Sequence, residues 1–304
     1  MTNTGTGVKV SVHMPAFNHG PFIAEAIESV LRQDVDCEYE IVVGEDCSTD
    51  NTRAVAVEYA RRFPDRIRLL LNERNLGMFD NDQRILQACR GEYIAWLESD
   101  DYWTSPAKLQ TQVDFLDEHP DYSACFHRAG HVGAQVPVTW RDGPPFVKPY
   151  YTIDDLLAYG HFMPSCTVVF RAAPVRTPAE WTRNTLFLET TYAARLALTG
   201  RIGFIEREMA VYRYHGTSIY ARLGELGNLQ AALDTHRLLG KHLDLSRRPA
   251  YRVGLARLYT ALSAEYRSRH RPVRALHARL RARWHSTSAP HETTADAGRA
   301  RFPR

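Results

Sequence analysis

Cysteine pairs are missing from this chain. Cys37, Cys47, Cys89, Cys125 and Cys166 lie far apart in its 304 residues, and no CxxC occurs. That excludes a zinc ribbon and a thioredoxin-type site, and the set reads as free, buried thiols. No apolar run approaches the ~20 residues that a membrane helix needs. The first seven residues are polar or small and form no hydrophobic signal core, so a cytoplasmic location is expected. No glycine-rich turn follows the first strand pattern, because Gly5 and Gly7 precede it, and this argues against a dinucleotide site. A P-loop and a GxSxG nucleophile elbow are absent too. Acids are scarce in one region: between residues 247 and 284, Glu265 stands alone against eleven arginines. That stretch carries +10, and with +3 for the whole chain the remainder carries −7.

The composition, 44% hydrophobic and 24% charged, is that of a soluble globular chain. From residue 8 to about 130, strand patterns at 8–14, 40–44, 67–71, 93–97 and 122–126 alternate with helical ones at 21–33, 50–63, 79–89 and 106–119. In the first helical pattern Phe22, Ala26 and Val30 lie four apart, with Pro21 in the first turn. Such alternation implies right-handed crossovers and an α/β fold, a mostly parallel central sheet flanked by helices. Residues 130–149 lose all periodicity and read as a surface excursion. Strands are expected again at 166–170, 202–205 and 209–214, with a helix around 186–198. Beyond residue 218 only helical patterns remain, at 224–243, 249–267 and 273–283. The expected organisation is an α/β domain over 8–218, a helical appendage over 219–285 and a disordered tail over 286–304.

In a parallel sheet, ligands bind beyond the carboxyl ends of the strands. Three loops there carry chemistry: Pro15 to Gly20, Glu45 to Asp50 and Glu98 to Trp103. Two of the three are acidic. Carboxylates gathered on one rim repel one another, so a cation is expected among them, and oxygen ligands suit Mg2+ or Mn2+. Ser48 or Asp50 also reads as a helix cap. His127 and His131 are four apart but lie at a strand end and loop, so they read as surface histidines. His13 is mid-strand and reads as a satisfied core residue. His161 precedes a strand pattern and reads equally as part of a functional loop or as a buried turn. Trp103 and Trp181 suit stacking against a ligand or, more commonly, core.

Four blocks in order resemble family 2 glycosyltransferases of the GT-A fold. Residues 8–18 end in Pro15-Ala16-Phe17-Asn18, where the family's usual form is P-x-Y-N. Glu45-Asp46-Cys47-Ser48-Thr49-Asp50-Asn51-Thr52 resembles the block D-D-x-S-x-D-x-T. Asn75-Leu76-Gly77 resembles N-x-G, and Glu98-Ser99-Asp100 stands where the family has D-x-D. Residues 211–218, with Tyr212, Arg213, His215 and Ser218, resemble the terminal block that closes over the diphosphate. The resemblance covers about 8–218 and implies a catalytic domain that binds a nucleotide-diphosphate sugar of UDP, dTDP or GDP type. It implies donor binding by Pro15, Ala16, Phe17, Asn18, Asp46, Asn75, Gly77, Glu98 and Ser99, with Asp46 taking a hydrogen bond from the base. Asp100 would hold the Mg2+ or Mn2+, with His215 on metal or phosphate and Asp101 serving metal or sugar in catalysis. The general base would be Glu189, at the start of a later helix whose dipole favours the ionised form. Transfer would proceed with inversion to an acceptor that the residues do not identify.

Two rival readings remain beside this one. A nucleotidyltransferase of related fold would carry a Gly/Arg/Lys-rich loop after strand one, which is absent here. A catalytically silent sugar-nucleotide binder would show affinity without nucleotide release. The arginine-rich segment reads as a solvated helix, an oligomer contact or a weak anchor on an acidic lipid surface, and not as a nucleic-acid site.

Overall fold

The computed structural model describes residues 7–133, 148–216 and 218–287. Most of the expected surface excursion, 134–147, and all but the first residues of the expected tail, from 288 onward, lie outside the described residues. The chain opens β1 (Val10–Ala16), α1 (Ile23–Leu31), β2 (Tyr39–Glu45), α2 (Thr52–Arg62), β3 (Ile67–Leu71), α3 (Met78–Ala88), β4 (Tyr93–Trp96). Then come β5 (Tyr102–Trp103), α4 (Lys108–Glu118), β6 (Tyr122–Gly133), β7 (Tyr150–Tyr151), α5 (Ile153–Tyr159), β8 (Val169–Arg171), α6 (Leu188–Ala197) and β9 (Arg201–Tyr214). The helices α7 (Ile219–His242), α8 (Pro249–Ser268) and α9 (Pro272–Thr287) follow.

The strands form a nine-stranded sheet in the order β3-β2-β1-β4-β8-β6-β9-β5, with β7 also on β9. β3, β2, β1 and β4 are parallel neighbours, and β6 and β9 run the same way. The short β5, β7 and β8 run against them. The mostly parallel sheet is therefore present, and β1 and β4 lie at its centre.

Side chains alternate across β1. Val10, Val12 and Met14 join the core with Ile23, Ile27 and Val30 of α1 and Leu109, Val113 and Leu116 of α4. Each fully buried side chain of this kind contributes about 1.5–3 kcal/mol. Ser11 and His13 face the other way. Ser11 Oγ donates to Glu40 Oε1 at 2.7 Å, and His13 Nε2 lies 3.1 Å from Asp82 Oδ1 on α3. Gly44 in β2 is a close-approach glycine: a Cβ there would sit 2.4 Å from Ile85 Cγ1 of α3.

On the α3 face the apolar cluster continues without a break from Val42, Ile94 and Phe126 to Leu233, Leu255 and Leu262 of the C-terminal helices. The appendage therefore shares its core with the sheet. At the junction, Gly254 of α8 approaches so closely that a Cβ would lie 2.1 Å from the Leu157 carbonyl oxygen of α5. Near its start α7 is interrupted at Gly224, which adopts φ 62°.

Several boundaries differ from the sequence reading. The two strands expected at 202–205 and 209–214 are one strand, β9, whose pairing with β6 shifts register. The segment 166–170 begins as a 3-10 turn, Ser165–Thr167, and becomes strand only at Val169. His127 is no surface residue: it is buried in β6, and burial pushes its pKa down to about 3. His131 is exposed as expected. Trp103 is core, with Nε1 donating to the Cys166 carbonyl at 2.9 Å. All five cysteines are free.

Candidate functional site

The loops after β1 and β2 are tied to each other. Asn18 adopts φ 56°, a left-handed conformation that asparagine tolerates. Its Oδ1 accepts from Thr49 N at 2.8 Å, and its own N–H donates to Ser48 Oγ at 3.0 Å. Gly20 N donates to Asp50 Oδ2 at 2.9 Å, while Asp50 Oδ1 holds the first turn of α2 through Thr52 N at 2.9 Å. Glu45 accepts from Ser48 N at 2.7 Å and pairs with Arg53. Phe17 projects outward, 39% exposed, beside Pro15 and the buried Ala16.

Asp46 is a clamp. Its Oδ1 accepts from Asn72 Nδ2 at 2.8 Å and Leu76 N at 2.7 Å, and its Oδ2 from Gly77 N at 2.9 Å. It thereby fixes the 72–77 loop. Gly77 has φ 82°, a conformation open to glycine, and starts α3. Asn75 is exposed on that loop.

The acidic loop after β4 divides its residues by depth. Ser99 is buried and its Oγ lies 2.8 Å from His19 Nδ1. Asp100 Oδ2 is 2.9 Å from His215 Nε2 and 3.6 Å from His19 Nε2, while its Oδ1 is buried without a partner. Ligand atoms of His19, Asp100 and His215 all lie within 4.8 Å of one another. Burial would raise the Asp100 pKa, but the His215 hydrogen bond and the neighbouring His19 outweigh it and hold the carboxyl below its usual range. Burial also lowers the His19 pKa, which keeps the imidazole neutral and able to bind a metal. These three donors and the orphaned Oδ1 fit a divalent cation. His19 stands with the two residues expected at the metal, Asp100 and His215, so two imidazole nitrogens and one carboxylate meet here.

Asp101 is fully buried, and its Oδ1 accepts from Arg213 N at 2.8 Å, which ties this loop to β9. Burial and the charges of Asp100 and Glu98 raise its pKa well above the carboxylate range. Arg213 completes that tie by donating to the Asp100 carbonyl at 2.7 Å and pairing with Glu25.

Glu98 faces inward. Burial, then the charges of Asp100, Glu189 and Asp82, push its pKa well up. Glu189, in the first turn of α6, therefore shares one acidic compartment with Glu98. Tyr220 Oη donates to Glu189 Oε1 at 3.1 Å. Burial drives the Glu189 pKa from 4.5 up to about 7, overcoming the hydrogen bonds that lower it. The expectation that a helix N-terminus keeps this group fully ionised is overturned, because desolvation outweighs a partial dipole charge. Behind Glu189, Tyr192 of α6 donates to Asp82 Oδ2, and Asp82 also meets His13. That network locks α6 to α3 and β1.

A cavity of about 830 Å3 lies on the far side of Tyr220, lined by Phe187, Thr190, His161, Leu239 and His285. Both ring nitrogens of His161 are buried there without a hydrogen-bond partner, so the even choice between loop and turn resolves to a residue at a cavity wall.

His19, Asp82 and Tyr220 escaped the sequence reading. His19 is adjacent to Asn18 in a loop already singled out. Asp82 lies within a helical pattern and Tyr220 just ahead of one, and neither carries a local signal.

Comparison with known proteins extends this picture. Residues 11–176 match the model of glycosyl transferase family 2. A protein of Mycobacterium tuberculosis with no assigned activity is 34% identical over 218 residues, covering 69% of this chain and 60% of that one. The chain thus spans 60% of the length of this curated relative. In structure, Staphylococcus aureus TarS in complex with UDP-GlcNAc matches with a TM-score of 0.58 at 18% identity, over 91% of this chain and 92% of that one. The mannosyltransferase PcManGT of Pyrobaculum calidifontis, in complex with GDP-Man and Mn2+, matches with a TM-score of 0.55 at 16% identity, over 91% and 87%. These likenesses show the fold, which is GT-A. The matched span starts inside β1 and takes in the loops after β1, β2 and β4, whereas Glu189 and His215 lie beyond it. On that match, which covers more than half of its length, the chain belongs to glycosyl transferase family 2.

Proposed function

We propose that the protein transfers a sugar from a nucleoside-diphosphate sugar to an acceptor nucleophile, with inversion at the anomeric carbon. The observation that carries this reading is the convergence of His19, Asp100 and His215 with Glu98 and Glu189 beyond the central strands. Donor complexes of the two structural relatives support a nucleoside-diphosphate sugar of UDP or GDP type, and a dTDP sugar presents the same diphosphate.

On the donor side, the loop of Pro15, Ala16, Phe17 and Asn18 and the clamp at Asp46 border the base. Asp46 Oδ2 accepts one protein hydrogen bond and keeps a lone pair for a base N–H. Asn75 and Gly77 edge the same pocket, and Glu98 lies on the ribose side. Ser99 orients His19 and is a positioning residue. His19, Asp100 and His215 would hold the divalent cation, and imidazole with carboxylate favours Mn2+ over Mg2+. When bound, such a cation neutralises charge on the leaving diphosphate.

Glu189 takes the acceptor's proton. The acceptor's lone pair forms the new bond to the anomeric carbon as the bond to the diphosphate oxygen breaks, with its electron pair leaving on that oxygen. A base with a pKa near 7 is matched to this task at neutral pH. Tyr220 holds its carboxylate in place.

The test is a thermal-shift panel of nucleotide sugars with and without Mn2+, followed by nucleotide-release kinetics on the hits. Stabilisation by a nucleotide sugar together with nucleotide release supports the reading. Binding without release under any acceptor tried makes the protein a silent binder, and no binding at all refutes the site.

A further inference from the structure

Among the described residues the last helix, α9, buries one side against its neighbours and exposes a row of large apolar side chains on the other. Ala275, Ala278, Ala282 and His285 of α9 are buried, and the helix rests on α8. Val273, Leu276, Leu280 and Trp284 are exposed by 80%, 57%, 56% and 62%. At about 100° per residue, these four fall within about 80° of one another, on the side opposite the buried row. Arg279 and Arg283 border the apolar stripe on one flank and Arg274 and Arg281 on the other, all exposed. The helix holds four arginines and no acid. A helix that met only water would keep large apolar side chains off this face.

We propose that α9 docks the protein on an anionic lipid bilayer, lying in the interface with its apolar stripe among the acyl chains. No helix of the described residues is long and apolar enough to cross a membrane, so the contact is peripheral. Charge complementarity selects this occupant. A second copy related by two-fold symmetry would set arginine against arginine across the stripe. A nucleic acid would use the arginines and leave the apolar row in water. An anionic bilayer satisfies both features at once: headgroups meet the flanking guanidinium groups, and Leu276, Leu280 and Trp284 enter the apolar layer. Outside residues 247–284 the chain carries −7, which repels that part from the same surface and sets the orientation. Neither the apolar stripe nor its flanking arginines belong to the site described above, so this docking stands or falls apart from glycosyl transfer.

Co-sedimentation of the full chain tests it, with vesicles of phosphatidylcholine alone and of phosphatidylcholine mixed with phosphatidylglycerol. Binding is expected to the mixed vesicles only, and to weaken as salt rises. Trp284 fluorescence should shift to the blue on binding, a change absent from Trp284→Ser. The triple variant Leu276→Ser, Leu280→Ser, Trp284→Ser should lose at least about tenfold in vesicle affinity. Its melting temperature should stay near that of the parent, because the three side chains are exposed. Failure to bind mixed vesicles at low salt overturns the proposal. So does a triple variant that binds vesicles normally while an arginine-to-glutamine variant loses vesicles and single-stranded DNA alike. A dimer in light scattering that the triple variant dissolves, without any vesicle binding, assigns the face to a second copy instead.

Discussion

Glu189→Gln separates function from stability in one substitution. The carboxyl is carried from 4.5 to about 7, chiefly by burial. That rise means that ionising the group inside the fold costs about 3 kcal/mol more than in the unfolded chain. A folded pKa raised above the unfolded one gives stability that is fully present below about pH 4.5 and is lost as the pH climbs through about 7. Glutamine never ionises and keeps the shape that accepts the Tyr220 hydroxyl. The variant should therefore match the parent at pH 4.5 and exceed it by up to about 3 kcal/mol at pH 8. Its transfer rate should fall by about 10²–10⁴-fold, the usual loss of a general base. In the parent, kcat/KM should rise about tenfold per pH unit below about pH 7 and level off above it, and the variant should lack that limb. Denaturant melts at both pH values, steady-state nucleotide release and donor calorimetry on the same protein make up the assay. Near-normal transfer would refute the role of Glu189. A stability gap that does not grow with pH would refute the burial argument, and equal loss of donor affinity would move the residue to the donor side.

Other perturbations probe the remaining parts. Asp100→Asn should cut turnover by about 10²-fold or more, and His19→Ala should weaken Mn2+ binding by calorimetry; activity surviving both Asp100→Asn and excess EDTA would discard the cation site. Asp46→Ala leaves Asn72 Nδ2, Leu76 N and Gly77 N without their acceptor. It should cost roughly 1–3 kcal/mol of stability and loosen nucleoside-diphosphate binding, and an unchanged urea midpoint would count against the clamp. Tyr220→Phe removes a hydrogen bond that lowers the Glu189 pKa, so the rising limb of the pH–rate profile should move to higher pH, and an unmoved limb would uncouple the two residues. Gly44→Ala should destabilise by about 1–3 kcal/mol through overlap with Ile85, which an equilibrium melt would reveal.

What the sequence reveals depends on how local the cause is. β1, β2, β3 and β4 emerge from short β-branched or apolar runs, because a central parallel strand is apolar on both faces. β5 and β7, two residues each, exist only because β9 offers them an edge, so no run of their own announces them. The break expected between 205 and 209 is a polar stretch, Glu206, Arg207 and Glu208, on a strand whose outer face meets water, and the backbone continues through it. Asp100 is legible because it follows a wholly apolar strand. His19 is not, since its meaning comes from His215, which is brought beside it by β9 from almost two hundred residues away along the chain. The same gap bears on Asp101: its neighbour at Asp100 suggests catalysis, while the hydrogen bond it accepts from Arg213 N depends on the β5–β9 pairing.

The fates of the acidic residues argue together for where chemistry happens. The −7 of the body places carboxylates on one rim, yet most of them are answered by the fold. Glu45 is paired with Arg53, Asp46 with three N–H groups, Asp50 with two, Asp101 with Arg213 N and Asp100 with His215. Glu98 and Glu189 have no cationic side chain among the influences on them, and each lies in the field of Asp82. Glu98, Glu189 and Asp101 are the rim carboxyls whose pKa is raised, so keeping any of them ionised stores electrostatic strain, and Glu98 and Glu189 share one compartment. Such strain persists where the surrounding structure over-determines it, and here the His13–Asp82–Tyr192 network holds α6 rigidly in position. In the proposed transfer, a sugar that gains positive charge as its bond to diphosphate breaks would relieve that strain in the transition state more than in the ground state, which is the condition for catalysis by binding.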